Sequence, residues 1–158
     1  MPKIVYPVCC GIDVHKSVVF AVIATTNANL VTTYSKPERF STFTNDLKRL
    51  AKWLEKNNCK DVCMESTGKY WIPVYNVLEE TCHVVLAHPK YVRAIKGKKT
   101  DKRDAKWIAD IFKHDLINGS FIPPAEIRQL RDLVRYHFKL TNYTTGEKKQ
   151  SSKLSDCF

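Results

Sequence analysis

Hydrophobic positions fall in short unbroken stretches over the early chain and at helical spacing between them. Val8 to Val14 is too short and too β-branched for a helix, so it predicts a strand that carries one acid, Asp13, near its end. Ser17 to Ala24 predicts a second strand, apolar enough to be covered on both faces. After a turn at Thr25 to Asn29, Leu30 to Tyr34 alternates as a half-exposed third strand, giving an antiparallel meander of three. Phe43, Leu47, Leu50 and Leu54 then recur at helical spacing behind a Ser41 or Thr42 cap, with Lys48, Arg49, Lys52 and Lys56 facing out and Asn57-Asn58 ending the helix. Asp61 to Glu65 predicts a fourth strand, Tyr70 to Glu80 a helix that tolerates Pro73 in its first turn, and His83 to Ala87 a fifth strand closed by His88-Pro89. Three strands, helix, strand, helix, strand implies a mixed α/β sheet of five strands, the later ones parallel and joined by crossovers.

Beyond the fifth strand the text becomes basic, from Lys90 to Lys106. A helix capped by Thr100 is expected to run through Trp107, Ile108, Ile111 and Phe112 to about His114. Gly119 and Phe121-Ile122-Pro123-Pro124 make a link, and from Ala125 Ile127, Leu130, Leu133, Val134 and Leu140 alternate with Arg128, Arg131, Arg135 and Lys139. That last segment reads as the start of an interhelical arm, and the polar text after Thr141 as a tail that is mobile or carried by a neighbour. The expected division is residues 1–122 as one domain and 123–158 as the arm and tail.

Charge narrows the partners. Among 158 residues, 26 Lys and Arg face 16 Asp and Glu, a formal +10, which favours a polyanion, with nucleic acid ahead of a membrane surface. The longest apolar run, Val18 to Ala24, is far below the roughly 20 residues a spanning helix needs. The amino terminus lacks a secretory signal's apolar core, so the expected location is cytoplasmic. Six cysteines without a Cys-x-x-Cys, mostly beside strands, read as buried apolar residues; a metal site from Cys59, Cys63 and His83 has no recognisable ligand spacing.

Four acids carry the candidate chemistry. Asp13 and Glu65 stand at the carboxyl ends of two strands, where open sheets hold their ligands. Asp101 and Asp104, three apart, share one face of a helix's first turn. Each has a bland reading: Asp starts turns, and the helix macrodipole favours Asp in a first turn. Together they can converge, and four carboxylates so placed make sense around divalent cations. All-oxygen donors suit Mg²⁺ or Mn²⁺, and two such ions about 4 Å apart can drive phosphodiester chemistry. Lys16, Lys98, Lys99, Lys102 and Arg103 are the candidate phosphate contacts, against a solvated basic face as the alternative. His15 beside Lys16 reads as structural, Ser66 and Thr67 as a helix-entry turn, and Tyr70, Trp71 and Trp107 as core aromatics rather than base-stacking platforms.

Three motifs in order, Gly11-Ile12-Asp13-Val14-His15-Lys16, Met64-Glu65-Ser66-Thr67-Gly68 and Lys99-Thr100-Asp101-Lys102-Arg103-Asp104-Ala105, closely resemble the amino-terminal domain of the DEDD transposases of insertion-sequence family one hundred and ten. The likeness covers about residues 8 to 140, and Leu130-Arg131-Asp132-Leu133-Val134-Arg135 is similar to that family's basic arm. It implies a ribonuclease-H-like fold akin to RuvC, with Asp13, Glu65, Asp101 and Asp104 as Mg²⁺-binding acids. It further implies DNA strand exchange guided by a structured RNA, in a self-associating protein. Family members continue into a second domain bearing a Ser nucleophile. A chain ending at Phe158 is therefore expected to keep fold, metal site and part of the nucleic-acid surface without completing recombination. The competing readings are a nucleic-acid-binding or assembly module with no chemistry of its own, and an ATPase on the same sheet, which lacks the second Gly-rich phosphate loop it would need.

Overall fold

The structure is a computed structural model describing residues 3–66, 68–88 and 101–155; for residues 66 and 101–103 only the backbone is described. The described elements are β1 (Val8–Val14), β2 (Val18–Thr26), β3 (Thr32–Tyr34), β4 (Glu38–Ser41), α1 (Thr44–Lys56), β5 (Asp61–Ser66), α2 (Trp71–Leu78), β6 (His83–Leu86), α3 (Asp101–Phe112) and α4 (Ala125–Ser155). The chain divides into two compact units, Met1–Phe121 and Ile122–Phe158.

The first unit is a mixed sheet in the order β3-β2-β1-β5-β6, with β4 pairing the same edge of β2 beside β3. β1 pairs β2 antiparallel and β5 parallel, and β6 follows in parallel. Among the described residues the sheet thus has six strands where five were expected. The extra strand is β4, whose four residues bury only Phe40, too little for a period of two to be visible.

Strand alternation sorts the sheet into two faces. Cys10, Ile12 and Val14 of β1 join Val19, Ala21 and Ile23 of β2 and Val62 and Met64 of β5 on one face, under Leu47, Leu50 and Leu54 of α1 and Val74 and Leu78 of α2. On the other face Cys9, Phe20, Val22, Ala24 and Cys63 meet Ala105, Ile108, Ala109 and Phe112 of α3. Helices on both sides explain why β2 is apolar nearly throughout. Burying Ile108 and Phe112 stabilises this layer by about 1.5–3 kcal/mol each.

Phe43 breaks the expected helical stripe. It is the residue before α1, 79 % exposed, while Ser41 and Thr42 serve the turn in front of it. The Ser41 amide donates to Asp46 Oδ2 and its Oγ accepts from the Phe43 amide at 3.4 Å, while Thr42 Oγ1 donates to the Lys16 carbonyl. Both α1 and α3 stop at a left-handed residue, Asn58 and Asp115, with a six-to-one hydrogen bond behind it: Cys59 N–H to Leu54 and Leu116 N–H to Ile111.

The carboxyl end of α3 is pinned by a buried cation. Lys113 is 7 % exposed, and its ammonium donates to Asp110, to Tyr34 Oη at 3.2 Å and to Thr32 Oγ1 at 3.3 Å on the edge strand β3. Tyr34 donates to the same Asp110 oxygen, and Lys106 Nζ stands 4.3 Å above the Tyr34 ring. Burial alone would raise the Asp110 pKa, but hydrogen bonds from Lys113 and Tyr34 outweigh it and hold the carboxyl below its ordinary value. Burial alone would lower the Lys113 pKa, and Asp110 with Tyr34 lifts it above its ordinary value instead. The Asp110 contribution is therefore present above its unfolded value near about 4 and is lost as pH falls through its lower folded value. The Lys113 contribution is present below its unfolded value near about 10.4 and is lost as pH rises through its higher folded value. Asp110→Asn is expected to destabilise by about 1–3 kcal/mol at pH 7, below the roughly 3–5 kcal/mol of orphaning a fully buried charge because Asp110 is partly exposed. Lys113→Met should cost less, and urea unfolding at pH 7 and pH 3 should show the Asp110→Asn gap closing in acid.

The second unit is α4, 31 residues long, none of them buried among the described residues. The polar tail, expected to be mobile or carried by a neighbour, is helical as far as Ser155. Thr141, Thr144 and Thr145 donate their hydroxyls to carbonyls four residues back, so these side chains do not draw the backbone out of the helix. No proline interrupts it.

Candidate metal centre

Asp13 and Glu65 are direct partners in the parallel pairing of β1 with β5, so their side chains leave the sheet on the same face, side by side. That face also carries Cys9, Gly11 and Cys63, and it is the one α3 covers. Asp13 is 7 % exposed and Glu65 half-buried.

Which end of α3 meets these acids follows from its direction. At the amino end of β1, the amides of Val5 and Tyr6 donate to the Lys113 carbonyl, and the Tyr6 ring stacks on Phe112 with centroids 4.5 Å apart. Midway, Gly11 lies against the helix backbone: a Cβ there would sit 2.2 Å from the Ala105 carbonyl oxygen and 2.3 Å from the Ala109 nitrogen. α3 therefore runs antiparallel to β1, and its first turn emerges at the strand's carboxyl end, where Asp13 and Glu65 are. Asp104 is half-buried and stands one turn before the fully buried Ile108, on the sheet side of the helix. Asp101 opens the helix by its backbone; its side chain lies outside the described residues.

Two of the four expected acids are thus in register, a third is at the same end of the same face, and the fourth is located by backbone alone. Among the described residues no three His, Cys, Asp or Glu side chains form a group able to hold an ion. The donors are nonetheless of one kind, carboxylate oxygens, which suits a hard divalent cation and not a thiophilic one.

His15 takes a larger part than expected. Its Nε2 is 3.1 Å from Asp13 Oδ2, and its ring meets the Phe20 ring edge-on at 6.4 Å. His15 stands one residue past β1 and two from Asp13, and that spacing is the available signal. Lys16 is exposed, with its carbonyl taken by Thr42. Lys98 and Lys99 lie outside the described residues, and of Lys102 and Arg103 only the backbone is described. The Cys59, Cys63 and His83 alternative does not assemble: Cys63 lies under α3, Cys59 is on the opposite face, and His83 Nδ1 pairs with Asp61 at 3.1 Å. Cys9, Cys10, Cys59, Cys63 and Cys82 are unbridged, and burial pushes the Cys9 thiol up to about 12. Among the described residues no helix is long and apolar enough to cross a membrane.

No curated protein matches the chain. Among solved structures, RuvC of Thermus thermophilus is similar at 13% identity with a TM-score of 0.52, covering 72% of this chain and 99% of its own. The same protein in complex with a Holliday junction substrate gives 11% and 0.49 over 72% and 99%, and the fowlpox virus Holliday junction resolvase gives 12% and 0.49 over 69% and 99%. The first of these carries the fold, a RuvC-like, ribonuclease-H-like sheet with flanking helices. The sequence model of the DEDD transposases of insertion-sequence family one hundred and ten, described as a transposase, matches residues 10–156, and with most of the chain inside that match this protein belongs to that family.

Proposed function

We propose that this chain is a metal-dependent catalytic domain of a DNA transposase, acting on DNA phosphodiesters with Mg²⁺ or Mn²⁺ held by Asp13, Glu65, Asp101 and Asp104. The observation that carries the reading is the parallel register that sets Asp13 beside Glu65, with the acidic first turn of α3 at the same end of the same face. When bound, the ion supplies Lewis-acid polarisation of a phosphodiester and activation of an attacking oxygen. The protein's own part is placement: β1 and β5 fix the two strand acids, Gly11 lets α3 lie close enough to bring its acids over the same edge, and Lys16, Lys98, Lys99, Lys102 and Arg103 hold the phosphate backbone. Family membership supports two further elements of the proposal, a structured RNA as guide and self-association of the protein.

A second reading, a binding or assembly module without chemistry, draws on the lack of a three-donor group among the described residues. Calorimetric titration with Mn²⁺ separates the two. Micromolar-to-millimolar binding that disappears in Asp13→Asn is expected of the catalytic domain; no binding, or binding indifferent to Asp13→Asn, supports the module. In the same preparation, DNA affinity should fall steeply with salt, with charge reversal at Lys98, Lys99, Lys102 and Arg103 flattening the slope by about one unit per lost phosphate contact.

A further inference from the structure

We propose that His15 is a positioning residue for Asp13: its Nε2–H donates to Oδ2 and fixes the carboxylate so that the other oxygen is presented to a divalent cation. The inference rests on the reading of Asp13 as a metal ligand and adds a residue to it. Asp13 is nearly buried, and His15 Nε2 stands 3.1 Å from its Oδ2. The imidazole is itself held. Its backbone amide donates to the Val18 carbonyl at 2.9 Å, closing the tight connection between β1 and β2. Its ring leans edge-on against Phe20, which is the cross-strand partner of Asp13. Asp13, His15 and Phe20 therefore share one face, and the histidine has a backbone anchor and an aromatic wall that fix its approach to the acid. A ligand carboxylate oriented by a hydrogen-bonded neighbour binds its metal more tightly than one free to rotate, and loss of such a neighbour typically costs about 10–100-fold in affinity.

The test is Mn²⁺ affinity of the whole chain by calorimetry, with the melting temperature of the metal-free protein alongside. His15→Leu, which keeps an apolar contact for Phe20 but has no donor, is expected to weaken Mn²⁺ about 10–100-fold while leaving the metal-free melting temperature near that of the wild type. His15→Gln, whose amide nitrogen reaches a similar point, should restore most of the affinity. Equal affinity of His15→Leu and wild type, beside a clear loss in Asp13→Asn, would overturn the positioning role and leave the metal site standing. So would failure of His15→Gln to improve on His15→Leu. A directly coordinated ¹⁴N in the electron spin echo spectrum of the Mn²⁺-loaded wild type, lost in His15→Leu, would make His15 a ligand and overturn it in another way. If the wild type itself takes up no Mn²⁺, the metal reading falls and this inference with it.

Discussion

Gly11→Ala is expected to destabilise the first unit by about 3 kcal/mol or more and to remove Mn²⁺ binding with it. The added methyl would lie 2.2 Å from the Ala105 carbonyl oxygen and 2.3 Å from the Ala109 nitrogen, both backbone atoms in the middle of a helix. No side chain can rotate away to relieve the contact. Overpacking a core typically costs about 1–3 kcal/mol where side chains yield, and here α3 as a whole has to lift from β1. The helix is tied at its far end through Phe112 and Lys113, so the lift opens the end that carries Asp101 and Asp104. Urea unfolding measures the first effect and calorimetry the second. Gly146→Ala is the control with opposite sign: nothing lies within 4 Å of its Cβ position in α4, and alanine in a helix interior should stabilise by about 0.5–1 kcal/mol. A Gly11→Ala protein as stable as the wild type would mean that α3 does not lie on β1 as described.

The second large effect concerns activity. Asp13→Asn and Glu65→Gln should each reduce Mg²⁺-dependent DNA cleavage by the transposase about 10³-fold, corresponding to roughly 4 kcal/mol of transition-state stabilisation. The double variant should be no worse than either single one. The two carboxylates are register partners on adjacent strands, and groups that act as a unit lose their function once, not twice. Single-turnover cleavage of labelled DNA at saturating protein measures this. Multiplying losses, near 10⁶-fold in the double variant, would mean that the two acids serve separate sites.

Much of the sheet that carries these acids is legible in the sequence. The strand ending in Asp13 and the one ending in Glu65 can be read because each is a short apolar run with an acid at its tip, whereas the parallel register that sets the two tips side by side comes from the fold. Other features depend on contacts that no local pattern encodes. β4 has one buried side chain, and its pairing with β2 is settled by where the chain turns after β3. The Lys113 cluster joins Thr32 and Tyr34 to Asp110 and Lys113 across some eighty positions of sequence. Phe43 fits the helical spacing of Leu47, Leu50 and Leu54, yet it stands exposed, because periodicity does not mark where a helix begins. His15 is hard to read for a different reason. Its spacing from Asp13 was visible, but a histidine at a strand end has many ordinary uses, and only the 3.1 Å approach to the carboxylate distinguishes this one.

The alternation of β1 works as a partition wall. Odd-numbered positions from Cys9 to Asp13 look toward α3 and the acids; even-numbered ones from Cys10 to Val14 look toward α1 and α2. Mutations can therefore adjust robustness on the even side, with Ile12→Val as a mild example, while leaving the acid-bearing face on the odd side chemically intact. A lineage of such domains is free to drift in one compartment without renegotiating the other.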